Sequence, residues 1–563
     1  MATTTAEINY TFSPQELEQL RPYGEVLFHE AGELLVAEGE READCLVTLS
    51  GETHIIVESA EGPKRVGWME AGQFAGDLSV LTGNASLARM VMGKAGEVLH
   101  IPYANFRRLL VESPRLSEVF VRTFTARRTF AISRRHASVI LLGSAQDRAV
   151  VSLRVFLSRR SVPHNWLDTQ TDPLARAVMA AKGLTGPDLP AVVLGASGVL
   201  RNATADALVR SLALDSLADG AEADLVVIGA GPAGLAACVY AASEGLNVIA
   251  FDAEGPGGQA GSSSKIENYL GFPAGVSGRE LADRAAVQAQ KFGVRIAAPA
   301  RVTALEPLAD GRYCLRAADG RAVAARAVVI ATGAQYRRLD IPRLEAFEGN
   351  GVYYGASPVE AQLCVGASVA VVGAGNSAGQ GAIFLAEVAR ELHVLYRRAD
   401  IRETMSAYLV RRLEETPNVI LHPGSELAEL LDGGEPDGGE RLGAIRIRTP
   451  RGLERLETPF VFLFIGALPF TAWLPPEVAV DEKGFVCTGQ TLGHLALVRA
   501  RWPLERLPST FETTLPRVYA VGDVRAGSVK RVASAVGEGS VVVSDVHRAL
   551  AELERQVQEA AGG

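Results

Sequence analysis

Residues 224–237 read DLVVIGAGPAGLAA, and this stretch decides the fold. Asp224–Ile228 is an apolar run of buried-strand type, Gly229-Ala230-Gly231-Pro232-Ala233-Gly234 follows at once, and small residues continue as a helix through Ser243. Strand, glycine turn and helix in that order make a dinucleotide-binding unit. Gly229 gives the tight turn, Gly231 lets the backbone approach a pyrophosphate, and Gly234 lets helix and strand pack closely. The helix N-terminus adds amide donors and the positive end of its dipole. The next strand, NVIAFD, ends at Asp252, placed to accept from a ribose 2′-hydroxyl. The glycines alone would also suit a structural turn; the strand before them, the helix after and the acid beyond favour the nucleotide.

Working outward, ASVAVVGAGNSAGQGA (367–382) repeats the arrangement. Its fingerprint is Gly373-Ala374-Gly375-Asn376-Ser377-Ala378, with alanine as the permitted third residue. The strand after it, ELHVLYRR, ends in Tyr396-Arg397-Arg398 with Arg402 beyond, where a site for NAD would carry an acid. Guanidinium groups suit the 2′-phosphate of NADP because they donate paired hydrogen bonds, so NADPH is expected over NADH. A solvated strand end is the competing reading of those arginines. Further on, VYAVGDV (518–524) is a strand ending in Gly522-Asp523, an acid that either serves a bound nucleotide or caps a helix. The charged, glycine-rich segment 430–443 reads as a surface hairpin, and 213–224 as a linker.

The chain has 563 residues, enough for several domains. With 48% hydrophobic and 21% charged residues it has the balance of a globular protein. A net charge of −9 argues against nucleic acid or an anionic membrane as the main partner. No apolar run approaches the ~18 residues of a membrane span. The N-terminal sequence has no export signal. Five scattered cysteines form no CxxC, so a reducing, cytoplasmic location is the expectation. The histidines have no metal-ligand spacing, and no metal site is expected.

The C-terminal part resembles the low-molecular-weight thioredoxin reductase family. The matching motifs are GAGPAG (229–234), GGQ (257–259), IENYLGFP (266–273), ATGA (331–334), GAGNSA (373–378), the arginines of 397–402, FIGALP (464–469), VGDV (521–524) and VKRVASAVGEG (529–539). The resemblance implies an α/β flavoprotein of two Rossmann-like domains, an FAD domain at 222–336 and 465–563 and an NADPH domain at 337–464, usually working as a homodimer. It implies that Gly258, Gln259 and Asn268 line the flavin, with Thr332 and Gly333 in the same FAD site. Asp523, with the backbone of Lys530, Arg531, Val532 and Ala533, would meet the ribityl and pyrimidine ends.

One departure outweighs these matches. In the family a redox CxxC follows the GVxY segment; here Gly351-Val352-Tyr353-Tyr354 is followed by Gly355-Ala356-Ser357-Pro358. Cys364 reads as a packed core cysteine, and a disulfide relay needs two thiols. The expected function is hydride transfer from NADPH to FAD and onward to an external disulfide, quinone or small redox protein. The alternatives are a ferredoxin–NADP reductase-like enzyme or a non-catalytic nucleotide and redox sensor.

Two modules precede the flavoprotein. Residues 1–136 contain short strands punctuated by Gly32, Gly39, Gly51, Gly72 and Gly76, then helical spacing from Tyr103 to about His136, and resemble a cyclic-nucleotide-binding β-roll. Its phosphate cassette would be Gly-Glu followed by Pro-Arg; here stand Gly76-Asp77 and Ala85-Ser86, with Arg89 three positions late. Losing the arginine removes a contact worth roughly 1.5–3 kcal/mol. A docking role or another small ligand is expected ahead of cyclic AMP or GMP. Residues 137–215 resemble a thioredoxin or glutaredoxin unit: VILLG, a helix from about Ala145 to Arg159, a strand near Asn165–Asp168, then LPAVVL with Pro190 at the cis-proline position, and a helix near Ala203–Leu214. Ser144-Ala145-Gln146-Asp147 replaces its CxxC, so it reads as a redox-inactive adaptor.

Overall fold

The computed structural model describes residues 8–562 apart from 60–61, 77, 83, 134–138, 161, 196–197, 213, 215–216, 264–265, 267–268, 357 and 434–440. The chain divides into two compact units, one of residues Met1–Ala145, Phe156–Ala218 and Val287–Pro299, the other of Gln146–Val155, Asp219–Ala286 and Ala300–Gly563.

In the first unit, two four-stranded antiparallel sheets form the roll. One orders Glu25–His29, Gly96–Ile101, Cys45–Thr48 and Phe74–Ala75; the other orders Leu34–Val36, Arg89–Lys94, Glu52–Ser59 and Gly62–Met69. Alternation along Arg89–Lys94 turns Met90 and Met92 inward, where they pack with Val36, Leu46, Met69 and Val98. Helices Tyr103–Glu112 and Pro114–Ser133 bring Phe120 and Phe124 onto Phe74 and Phe106 onto Phe120, in edge-on ring contacts.

The same unit holds a third four-stranded sheet, His164–Leu167, Val139–Leu142, Ala191–Leu194 and Gly198–Leu200 in that order. The first pair is parallel and the other two are antiparallel. The Leu189–Pro190 peptide is cis. Side-chain caps shorten the expected elements. The helix expected from Ala145 begins at Arg148, with Asp147 accepting from Ala149 N–H at 2.8 Å. Asp168 leaves the strand to accept from Gln170 N–H at 2.9 Å. Thr204 caps the last helix, Ala205–Ser211.

In the second unit, parallel strands Val248–Phe251, Ala221–Ile228 and Ala322–Ile330 lie side by side. Tyr313–Ala317 and Val302–Pro307 extend the sheet antiparallel. The strand Ala322–Ile330 divides its second edge: Ala322–Ala325 pairs with Tyr313–Arg316, while Val328–Ile330 pairs with Val518–Ala520. In that register Ile330 and Ala520 are partners, and the two chains run on in parallel to Thr332-Gly333 and Gly522-Asp523. The expected linker at 213–224 ends earlier, because the first strand already begins at Ala221, paired with Val323.

A separate parallel sheet orders Val352–Tyr353, Phe460–Leu463, Ser368–Val372, Glu391–Tyr396 and Val419–Pro423. Three antiparallel strands, Glu426–Asp432, Leu442–Thr449 and Gly452–Leu456, are inserted between its strands Val419–Pro423 and Phe460–Leu463, and the first two flank the expected hairpin. A short ribbon pairs Ala334–Tyr336, which follows Ala322–Ile330, with Ala467–Pro469, which follows Phe460–Leu463.

Candidate functional site

The first glycine turn is built by collision and by space. Gly229 holds φ +106°, and a side chain there would run into the Ala331 carbonyl. At Gly234 a Cβ would strike the Gly229 carbonyl, so strand and helix meet through bare backbone. Gly231 faces the opposite condition: the nearest atom to a Cβ there is the Gly258 Cα at 3.8 Å. Two glycine backbones therefore form an open cradle at the N-terminus of helix Pro232–Ser243, whose N-cap Gly231 supplies no side-chain acceptor. The first-turn amides are left for an anion. Ala233 is buried beneath the turn.

Asp252 does more than wait for a ribose. One carboxylate oxygen accepts from Ala230 N–H (2.8 Å) and the other from Glu254 and Gly255 N–H (2.9 and 2.8 Å). It therefore fixes the fingerprint turn itself. Gln259 Nε2 donates to the Ala334 carbonyl, and Thr332 Oγ1 to Phe470 O at 3.4 Å. Gly258 and Gly333 hold φ +52° and +64°. Asn268 lies outside the described residues.

Gly522 adopts φ +72°, and its N–H donates to Glu538 at 2.7 Å. Glu538 also receives two hydrogen bonds from Arg525, at 3.1 and 2.5 Å. This charge-assisted clamp comes from helix Val532–Gly562 and sets the position of the next residue, Asp523. Burial pushes the Asp523 carboxyl above the ordinary carboxylate range, Lys530 pulling down and Glu538 pushing up. Lys530 Nζ donates to the Asp523 carbonyl at 2.5 Å and lies 4.4 Å from the Phe485 ring centre. Val532 opens the long helix, with Ala533 in its first turn and Arg531 just before it. Glu538, Arg525 and Phe485 were not legible as site residues; the only signals were the acid in VGEG and the arginine after VGDV.

The second turn keeps the same logic with looser packing. Gly373 holds φ +148° against the Phe464 carbonyl, and a Cβ on Gly375 would meet nothing. Helix Asn376–Ala386 again lacks a side-chain N-cap. Asn376 Oδ1 accepts from Ser406 N–H and Oγ, at 2.8 and 3.0 Å, and Ala378 is fully buried. Ser377 stands in the first turn beside them.

The three arginines beyond the strand differ. Arg398 pairs with Glu403 at 2.5 Å; Arg402 pairs with Glu414 and, at 3.5 Å, with Asp400. Arg397 has no ion-pair partner among the described residues.

At the position of the family's thiols, Gly355, Ala356 and Pro358 are described and Ser357 is not. Ala356 is buried and Pro358 opens a short helix. Cys364 sits in the core with Val369, Val371 and Phe462, and burial pushes its thiol up to about 12. Among the described residues no group of His, Cys, Asp and Glu could hold a metal ion, and no helix is long and apolar enough to cross a membrane.

In the roll, Asp77 lies outside the described residues. Ser86 Oγ donates to Ala88 O at 2.7 Å. A guanidinium does reach the cassette turn, but from the helix: Arg127 Nη1 donates to Gly76 O at 2.9 Å and its side chain stacks 4.6 Å over Phe74.

A family model described as pyridine nucleotide-disulphide oxidoreductase matches residues 223–539, and one described as cyclic nucleotide-binding domain matches 26–113. NADPH-dependent thioredoxin reductase 3 of Arabidopsis thaliana is 31% identical over 337 residues; the match spans 58% of this chain and only 58% of that relative. Thioredoxin reductase of Bacillus subtilis is 28% identical over 337 residues, covering 60% of this chain and 97% of its own. The crystal structure of T. acidophilum thioredoxin reductase superposes with a TM-score of 0.51 at 26% identity, over 58% of this chain and 98% of that one.

Proposed function

For a chain that belongs to the pyridine nucleotide-disulphide oxidoreductase family, we propose a thiol-free route: NADPH reduces FAD, and the electrons leave for an external acceptor without passing through cysteines of this chain. The protein is an NADPH-dependent flavoprotein oxidoreductase. The observation that carries the thiol-free reading is the pair Gly355 and Pro358 at the thiol positions, with Cys364 sealed in the core.

FAD, when bound, accepts a hydride from NADPH and passes the electrons on. The chain's own residues hold and orient. Gly229, Gly231, Pro232, Ala233 and Gly234 offer the amide cradle to the FAD pyrophosphate, and Asp252 keeps that cradle in shape at the ribose end. Gly258 and Gln259, with Thr332 and Gly333, border the flavin. Asp523, held through Gly522 by Glu538, takes the ribityl chain, and the helix start at Lys530–Ala533 takes the pyrimidine end. Gly373, Gly375, Asn376, Ser377 and Ala378 present the second cradle to NADPH. Arg397 is its principal 2′-phosphate ligand, since Arg398 and Arg402 are already paired.

On this reading FAD belongs to 222–336 and 465–563 and NADPH to 337–464. The strand order of residues 137–215 supports a thioredoxin-like adaptor without thiols. The roll at 1–136 takes a small ligand or partner that modulates the reductase, and the chain works in the cytoplasm as a homodimer.

The test is steady-state NADPH oxidation by the FAD-loaded protein with two acceptors. Ferricyanide should be reduced, and an aromatic disulfide should not. Rapid disulfide reduction that survives Cys364→Ser and stops in another cysteine variant would show a thiol relay and sink the proposal.

A further inference from the structure

We propose that Arg107 is a latch that couples the cassette of the roll to the flavin loop at 257–259 through helix Gly278–Lys291. The inference rests on the FAD reading above and supplies the route by which the roll modulates it. Between Gly76 and Ala85-Ser86 the cassette holds the short helix Leu78–Thr82. Two guanidinium groups, from helices Tyr103–Glu112 and Pro114–Ser133, hold it. Arg127 donates to Gly76 O at 2.9 Å, ahead of the short helix, and Arg107 Nη1 donates to Leu81 O at 3.2 Å, in its last turn. The same Arg107 nitrogen donates to Gln290 O, in the last turn of helix Gly278–Lys291.

The end of that helix is shaped for the contact. Residues Val287–Pro299 belong to the same compact unit as the roll, and Val287 packs against the cluster that holds Leu81, Phe106 and Leu110. The chain turns back at Gly293, φ +102°, with Gly293 N–H donating to Gln290 O (2.9 Å) and Val294 N–H to Ala289 O (3.2 Å). A Cβ on Gly293 would lie 3.1 Å from Arg107 Nη2, so the bare backbone makes room for the guanidinium. Burial pulls that guanidinium below its ordinary value, with Tyr103 acting against the shift. Its compensation is two carbonyls, each at the negative end of a helix. Losing either one leaves a half-buried cation short of an acceptor, so displacement of one helix end is resisted through the other.

The opposite end of the helix presses on the flavin loop. Gly278 N–H donates to Ser263 O at 2.8 Å, and a Cβ on Gly278 would strike the Ala260 carbonyl. A Cβ on Gly257 would stand 2.9 Å from the Ala282 Cβ, so helix and loop meet without slack. The helix has 14 residues and spans ~21 Å, so a shift at Gln290 reaches Ala282 as a displacement of the whole rod. The chain that follows the helix makes a second branch, since Ala300 N–H donates to Asp252 O at 2.7 Å, the residue whose carboxylate holds the first glycine turn. Whatever moves helix Leu78–Thr82 therefore changes the grip on FAD, and by linkage FAD changes the order of the cassette.

The test is hydrogen exchange of the full-length FAD-loaded protein, read by mass spectrometry, together with the rate of FAD release. Arg107→Met keeps an apolar stem and removes the donors. It should speed exchange at 78–82 and at 257–263, and raise the FAD release rate about fivefold or more, the lower end of a typical coupling. Arg107→Lys, which can still donate to both carbonyls, should restore most of both. Arg108→Met, one position on and stacked over Tyr23 instead, should match wild type. From the other side, Gly293→Ala crowds the guanidinium and should speed exchange at 78–82, an effect that should vanish in an Arg107→Met background; alone it carries the test if Arg107→Met does not fold. An Arg107→Met protein that loosens 78–82 but keeps 257–263 exchange and FAD release within about twofold of wild type makes Arg107 a local cap of the roll and overturns the latch. So does an equal change in Arg108→Met, or a Gly293→Ala protein with wild-type exchange at 78–82. All three leave the FAD reading standing. A wild type that binds no FAD removes that reading and the latch with it.

Discussion

The two glycine turns of the flavoprotein share one geometry and differ in what closes them. At the first, Gly234 leaves no room for a methyl group: its Cβ would meet the Gly229 carbonyl. At the second, Ala378 already carries that methyl, 3.2 Å from where a Cβ on Gly373 would lie. The first strand pair ends in an acid whose oxygens hold the turn's own amides; the second ends in three arginines, two of them paired. The first site is thus locked by its own backbone, as suits a resident cofactor, while the second is looser and reads a charge at its rim, as suits a substrate that comes and goes.

The largest break in that contrast should come from exchanging the third residues. Gly234→Ala overpacks the first turn, costing roughly 1–3 kcal/mol or more. It should purify without FAD, checked by the flavin-to-protein absorbance ratio. Ala378→Gly only loosens the second helix by about 1 kcal/mol and should retain FAD and most NADPH activity.

Charge at the second rim comes next. Arg397→Glu should raise KM for NADPH by about tenfold to a hundredfold, the worth of a hydrogen bond to a charged group, with KM for NADH little changed. Arg398→Ala should act several-fold more weakly, because Glu403 already occupies that guanidinium.

A smaller effect separates the sites by pH. The raised Asp523 carboxyl means that its contribution to apo stability is present below the ordinary carboxylate value and fades as pH rises through the raised one. FAD binding runs oppositely, since the ribityl hydroxyls need the anion. FAD affinity should therefore fall as acidification passes through the raised value toward the ordinary carboxylate range, and Asp523→Asn should flatten that slope in a fluorescence titration. Asp252→Asn should lower FAD retention with little pH dependence, since an amide offers one oxygen where the carboxylate offers two and its NH2 would face a backbone N–H donor.

Both turns were legible in the sequence because each is local: strand, glycines and helix lie within a dozen or so residues of one another. The roll was legible for a similar reason, its strands being punctuated by glycines at turns. Element ends were missed where a side chain decides them, as Asp147 and Thr204 do by capping. The Glu538–Arg525 clamp and the reach of Arg127 to Gly76 were hidden because a hydrogen bond across 13 or 51 positions leaves no periodic trace.

The most direct test of the account is an anaerobic titration of the FAD-loaded protein with NADPH, following flavin absorbance. A single equivalent of NADPH per FAD should bleach the flavin completely, since no disulfide shares the electrons. A requirement for two equivalents, or no bleaching at all, would contradict the thiol-free route from NADPH through FAD to an external acceptor.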